Sequence, residues 1–161
     1  METSLDQVKP PQPPLGIYSS RCDDKGRVRL PKEFEDFLRT FVDPQFFVTS
    51  LDGRIGRIYP IETWRQNEIV FEGYDEDPDA ADDIRFVADR WGGVSTIDGQ
   101  GRILVPPELR RKIGIEDQKV YLRFYKGGLE LYSETESERR MERATGALAT
   151  NLHALRKRGL K

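Results

Sequence analysis

Four side chains carry the most chemical information in this chain: Asp23 with Arg27, and Asp98 with Arg102. Each pair brackets a three-residue loop, Asp24-Lys25-Gly26 in the first case and Gly99-Gln100-Gly101 in the second. An aspartate facing an arginine across a tight loop can hold the guanidinium by a two-pronged hydrogen bond. For either copy alone, a plain hairpin-tip salt bridge is the simpler reading, and such surface pairs contribute only about 0–1 kcal/mol. Two copies in matched context ask for more. A pre-oriented guanidinium suits bidentate contact with guanine edges or phosphate, because less freedom is lost on binding. Lys25 and Arg29 add positive charge at or beside the first loop, and Arg21 lies close by, where phosphate contact is available. The second loop has Gln100 in place of Lys25.

Other chemistries find little support. His153 is the only histidine and Cys22 the only cysteine. That leaves no zinc set and no Cys-His or Ser-His-Asp arrangement. Gly99-Gln100-Gly101 sits in a hairpin rather than before a helix, so it is no dinucleotide fingerprint, and no Walker A run occurs. The chain is therefore expected not to be an enzyme and to need no cofactor or metal. Cys22 is expected as a buried strand thiol, since its repeat mate is Ile97, with a redox switch beside Asp23 as the open alternative. Trp64 and Trp91 fall on apolar helical faces and read as core or protomer interface.

The elements that must position the two loops follow from periodicity. Residues 17–22 and 27–30 predict a strand and its hairpin partner around the first loop, with Gly26 suited to the left-handed position. Pro31 suits the first position of a helix. Phe34, Phe37, Leu38 and Phe41 then mark one apolar helical face. Residues 46–49 and 55–59 form a hairpin about Asp52-Gly53, and residues 60–71 a helix. Residues 80–91 predict another helix that Gly92-Gly93 ends. The pattern then recurs: strands over 94–97 and 102–105, a helix from Pro106-Pro107 to Gly114, and a hairpin of 120–124 with 129–132. Residues 133–158 predict one long helix capped by Ser133. Its apolar stripe is thin: Met141, Ala144, Leu148, Leu152 and Leu155, ahead of a basic last turn, Arg156-Lys157-Arg158, that suits the helix dipole.

Asp23, Gly26, Arg27, Pro31 and Glu33 recur 75 positions later as Asp98, Gly101, Arg102, Pro106 and Glu108. A two-copy repeat of this length is no solenoid. Each unit is too small to bury its own sheet, so two units related by a pseudo-twofold are expected to close one barrel-like sheet over a shared core.

The bulk numbers fit a water-exposed protein. Of 161 residues, 37% are hydrophobic and 34% charged. No apolar run approaches the ~20 residues of a membrane span, so no membrane partner is expected. No charged-then-apolar signal pattern stands at the N-terminus. A single cysteine fits a reducing compartment. The net charge of −2 counts weakly against nucleic acid, yet it is unevenly spread. Residues 72–83 hold 7 acids and no base, and the remaining 26 bases against 21 acids leave the rest of the chain net +5. Residues 1–14, with Pro10, Pro11, Pro13 and Pro14, predict a disordered arm.

At these residues the chain resembles the MraZ family, within the AbrB-like swapped-hairpin superfamily of DNA-binding proteins. The carriers are Asp23-Asp24-Lys25-Gly26-Arg27 with Pro31; Leu51-Asp52-Gly53; Ile58-Tyr59-Pro60-Ile61-Glu62-Thr63-Trp64; and Asp98-Gly99-Gln100-Gly101-Arg102 with Pro106-Pro107-Glu108-Leu109-Arg110. The resemblance covers roughly residues 16–140. It implies an α+β fold of two tandem AbrB-like swapped-hairpin β-barrel halves related by pseudo-twofold, with peripheral helices and a long C-terminal helix. The expected division is a Pro-rich arm over 1–15, one half over 16–71, an acidic linker and helix over 72–92, the other half over 93–138, and the C-terminal helix over 139–161.

It further implies a cytoplasmic, nucleoid-associated bacterial transcriptional regulator. Its partners would be double-stranded promoter DNA, bound at repeated sites upstream of the division and cell-wall gene cluster, and further copies of itself in a ring-shaped homo-oligomer. Carried over by position, the DNA-binding residues are Asp23, Lys25, Arg27, Asp98 and Arg102; Arg29 joins them by its charge at the tip. Arg29 is also a departure, standing where the family pattern leads one to expect a small polar residue. The acidic 72–83 segment is a second departure and is expected to lie away from the tips. An oligomeric assembly or interaction module without DNA binding is the alternative, favoured by the net acidity and by the stripe on the last helix.

Overall fold

The computed structural model describes residues 11–161. Most of the proline-rich arm lies outside the described residues. The strands are β1 (Ile17–Arg21), β2 (Arg27–Arg29), β3 (Gln45–Thr49), β4 (Gly56–Pro60), β5 (Gly93–Thr96), β6 (Arg102–Leu104), β7 (Lys119–Tyr125) and β8 (Gly128–Ser133). The helices are α1 (Lys32–Leu38), α2 (Ile61–Glu72), α3 (Pro78–Trp91), α4 (Pro107–Lys112), α5 (Glu134–Thr145) and α6 (Leu148–Arg156). The fold is α+β, with antiparallel sheet and six helices among the described residues.

Local signals placed two hairpins well. β3 lies along β4, with Phe47 opposite Tyr59, and β7 along β8, with Leu122 opposite Leu131. The expected hairpin of β1 with β2 is corrected. Only one bridge, Cys22 to Val28, continues past the turn. Beyond it the strands part, and β1 runs antiparallel to β7, with Tyr18 opposite Leu122. The second repeat behaves alike, for β5 runs along β3. The six-stranded sheet therefore reads β1-β7-β8-β4-β3-β5, and β2 pairs with β6 as a separate two-stranded ribbon. Replacing each strand by its repeat mate reverses the sheet order and returns the same sheet. The pairing is thus twofold in its connectivity, and the outer strand of each repeat is held by the other.

The ribbon and the sheet share one core. Val28 and Ile103 point inward from the ribbon, and Val48, Ile58, Leu122 and Leu131 from the sheet, all fully buried. Phe34 and Leu38 of α1 and Leu109 of α4 close it. Each such side chain contributes about 1.5–3 kcal/mol on burial. This core explains why β2 and β6 stay together although each has only three residues: alternation leaves their central apolar residue no other place to go. Cys22 is fully buried in the same cluster. Burial pushes its thiol up to about 11, with the Asp23 charge adding to the effect. The thiol therefore packs, since burial outweighs the lowering effects of Arg110 and of a backbone hydrogen bond at Asp117.

The helices differ from expectation in two places. Pro31 is the residue that precedes α1 rather than its first, as Pro106 precedes α4. The single long C-terminal helix is corrected to two. Ser133 caps α5 as expected, its hydroxyl accepting from the Glu136 amide at 3.1 Å. α5 stops at Gly146, and α6 starts two residues later. Glycine costs a helix interior about 1 kcal/mol relative to alanine. No residue of α5 or α6 is buried, so packing does not repay that cost.

Candidate nucleic-acid interface

The two turns are closed by the same backbone hydrogen bonds. The Asp23 amide donates to the Arg27 carbonyl at 2.9 Å and the Gly26 amide to the Asp23 carbonyl at 3.1 Å. The counterparts at Asp98, Arg102 and Gly101 measure 2.8 and 3.0 Å. Gly26 and Gly101 sit at φ +83° and +77°, a region that only glycine enters at no cost.

Each aspartate then does two jobs. One carboxylate oxygen of Asp23 accepts from the Lys25 and Arg27 amides at 3.0 and 2.9 Å, and the other accepts from Arg27 Nε at 2.9 Å. Asp98 repeats this with the Gln100 and Arg102 amides at 2.8 and 2.9 Å and Arg102 Nε at 3.0 Å. This corrects the expected two-pronged grip on the guanidinium. The aspartate's two prongs go to the turn and to Nε. Neither Arg27 nor Arg102 commits a terminal nitrogen to a hydrogen bond among the described residues. The arginine is held at its root and left open at its fork, the end that reads carboxylate, phosphate or guanine.

The electrostatics follow the geometry. Burial tends to raise the Asp23 carboxyl, but the Arg27 amide and side chain and the Lys25 amide outweigh it, and the group lies below its ordinary range. The Arg102 amide, followed after the smaller opposing effect of burial by the Gln100 amide and the Arg102 side chain, lowers Asp98 likewise. Both carboxylates are therefore charged at neutral pH and keep their arginines fixed.

The pairing of β2 with β6 brings the two turns onto one surface. Arg29 lies opposite Arg102, and Arg27 opposite Leu104. Val28 and Ile103 face the core, so Arg27, Arg29, Arg102 and Leu104 project from the other face of the ribbon. Like charges directly opposite across a strand pair are destabilising. Here Arg29 is exposed and its Nη1 donates to the Gln100 carbonyl at 3.0 Å. Arg29, expected to serve the first tip, thus reaches the second. Lys25 is exposed at the first tip. Arg21 is instead engaged by Asp117, with its Nη2 at 2.8 Å from the carbonyl and 2.6 Å from the carboxylate.

Three further residues back the turns. Arg110 of α4 lies where a Cβ on Gly26 would stand, and its Nη1 donates to the Val105 carbonyl at 2.9 Å. Glu35 of α1 takes the same place under Gly101 and accepts from Arg39 Nε at 2.9 Å. Arg39 Nη2 in turn donates to the Asp98 carbonyl at 2.9 Å. Glu35 and Arg110 are 75 positions apart, so the repeat itself marks them, though only the exchanged packing reveals what they touch.

Among the described residues no group of acids, histidines and cysteine is placed to hold a metal ion, and no helix is long and apolar enough to cross a membrane. The acidic segment lies in the α2–α3 connection and the first turns of α3.

A family model described as "MraZ protein, putative antitoxin-like" matches residues 94–154. Several curated proteins carrying the name Transcriptional regulator MraZ are similar over much of the chain. One from Koribacter versatilis is 31% identical over 110 residues, covering 68% of this chain and 75% of its own. One from Thermomicrobium roseum is 36% identical over 107 residues, with 66% and 72% covered. One from Solidesulfovibrio magneticus is 32% identical over 148 residues, with 90% and 95% covered.

Proposed function

The chain belongs to the MraZ family, and from that premise we propose that it is a transcriptional regulator acting by sequence-specific contact with double-stranded promoter DNA through the β2–β6 ribbon. The observation that carries the reading is the trio of Arg27, Arg29 and Arg102 on one exposed face, two of them rooted by aspartates with free forks. A two-stranded ribbon fits the major groove, where arginine forks read guanine. Lys25 and Arg29 supply phosphate contact beside them. Asp23 and Asp98 act by positioning. The exchanged strand pairing supports reading residues 16–71 and 93–138 as the two AbrB-like swapped-hairpin halves of one barrel.

One chain offers a small cationic face on a net acidic protein. Affinity then has to come from several ribbons engaging repeated sites together, as a ring of copies on direct repeats allows. The division and cell-wall gene cluster is the target the family membership suggests, which would place the protein in the cytoplasm at the nucleoid.

The test is duplex binding by the full chain to promoter repeats, with the double variant Arg27→Ala/Arg102→Ala beside the wild type. Loss of two arginine contacts, each about 1–3 kcal/mol, should weaken one ribbon by about 30-fold or more and flatten the salt dependence. A folded double variant that binds the repeats as tightly as wild type would overturn the reading.

A further inference from the structure

Among the described residues, two helix faces present exposed apolar side chains in surroundings of opposite charge. The first is the outer face of α3. Phe86 stands on it with 68% of its surface exposed. Asp82 and Asp83 lie one turn before it and Asp89 three residues after, all exposed and adjacent to it by helical spacing. The base one turn on, Arg90, is paired with Glu108 of α4. The opposite face of α3 is the one used in the fold: Ala88 packs with Trp64, and Arg85 bonds Glu68 of α2 at 3.3 Å.

The second face is on α6. Leu148, Leu152 and Leu155 follow at i, i+4 and i+7, and Leu148 and Leu155 are exposed. No residue of this helix is buried. From Leu148 to Lys161 there is no acid, while Arg156, Lys157, Arg158 and Lys161 are basic. A nine-residue helix with no fully buried residue gains little tertiary stabilisation, and isolated helices of that length are marginal in water. Its leucine stripe therefore calls for a surface, and α3 offers the exposed ring of Phe86 with carboxylates around it.

We propose that α6 of one copy docks on the outer face of α3 of a second copy, with the leucine stripe over Phe86 and the basic residues at and just after its end, Arg156, Lys157 and Arg158, against the Asp82–Asp83 carboxylates. Because the two surfaces differ, every copy is both donor and acceptor, as a ring or filament requires. The contact supplies the multivalency on which the DNA reading rests, and it gives the acidic segment a role away from the ribbon. Fields of opposite sign also steer the encounter and set the register.

Two charge-reversed full-length proteins test this. One carries Asp82→Lys and Asp83→Lys. The other carries Arg156→Glu, Lys157→Glu and Arg158→Glu. All five positions are exposed. Sedimentation velocity at low salt should show the wild type assembled and each variant alone dissociated, its self-affinity at least about tenfold weaker. An equimolar mixture should assemble again, because each α6 then meets an α3 of opposite sign. The inference is overturned if the wild type stays monomeric through the micromolar range, if either variant alone assembles as wild type does, or if the mixture remains dissociated.

The last outcome would also identify an α6 folded back on its own chain. If the α6 variant assembles normally but loses duplex affinity, the basic turn serves DNA and this proposal fails. Retention of each dissociated variant on a single-site duplex separates the two readings. Retention without reassembly sinks only the docking, and reassembly without retention sinks only the DNA role.

Discussion

The turn at Asp23 rests on Arg110, whereas the turn at Asp98 rests on Glu35, although Glu35 and Arg110 hold the same place in the two repeats. Their backbones and aspartate–arginine bonds agree to within about 0.2 Å. What differs is the charge underneath and around them. The first turn has Lys25 in its own loop and Arg110 behind it. The second has Gln100 in its loop and Glu35 behind it, and its cations, Arg29 and Arg39, are lent by the first repeat. The duplication has kept the groups that make the turn and let the groups that set its field diverge. An approaching polyanion meets two identical guanidinium mounts in unequal potentials, and most of the positive charge at both comes from residues 25–39.

The glycines should separate the two turns most sharply. Alanine at a left-handed position costs about 1–3 kcal/mol. At Gly26 the new Cβ would meet the Arg110 stem and head together, whereas at Gly101 it would meet only the carboxyl end of Glu35. Gly26→Ala should therefore lower the unfolding midpoint more than Gly101→Ala. On the scale for a chain of this size the shifts are about 2–4 °C for each kcal/mol. Thermal unfolding of both variants checks this. An equal or larger loss for Gly101→Ala would mean that the packing under the two turns is not the difference we assign.

Much of this was legible in the sequence, and the boundary is physical. Asp, Gly and Arg at fixed spacing specify a turn through contacts within five residues, so both turns were readable. So were β3–β4 and β7–β8, whose loops carry Asp52-Gly53 and Lys126-Gly127-Gly128. The partner of β1 lies about a hundred residues away in β7 and has no local signature. Arg29 was grouped with Arg27 by its charge beside the first loop. That Arg102 joins them required the β2–β6 register. Arg21 was grouped with the first tip by proximity in sequence, and a bond to Asp117 takes it away. Arg39 and Arg110 were missed as backing residues because each supports the turn of the other repeat. The last helix read as continuous because its leucine spacing runs through Gly146, and only the lack of a surface beneath it lets the glycine break it.

Arg29 and Leu104 are repeat mates, so exchanging them probes the asymmetry directly. Arg29→Leu should weaken duplex binding about tenfold and reduce the slope of log affinity against log salt by about 0.9, one phosphate contact. Leu104→Arg should steepen it by a similar amount. Stability should move the other way, for Arg29→Leu relieves the facing pair of cations and should leave the fold unchanged or firmer by about 0.2–1 kcal/mol. Titration of a fixed duplex at several salt concentrations, with denaturant unfolding of the same proteins, reads both. A parallel fall in affinity and stability would make Arg29 a structural residue.

The smallest effect lies in the acid limb. Asp23 and Asp98 both titrate lower in the fold than in an open chain. Their contribution to stability is therefore fully present above the ordinary carboxylate value and is lost as pH falls through the lower folded one. In Asp23 burial, the largest influence, works against that shift, whereas in Asp98 the leading influence is the Arg102 amide, which favours it. Asp23→Asn and Asp98→Asn should therefore each flatten the fall of the unfolding midpoint as pH drops below the ordinary carboxylate range. Both variants should keep the turn, since an asparagine oxygen can still accept from the loop amides. What they lose is the anion that fixes Nε, so the arginine fork above it should be freer and the duplex affinity lower at neutral pH. If either asparagine variant keeps the wild-type acid limb, that aspartate does not hold its arginine through its charge, and the two turns differ in how they mount the guanidinium and not only in the residues behind and beside them.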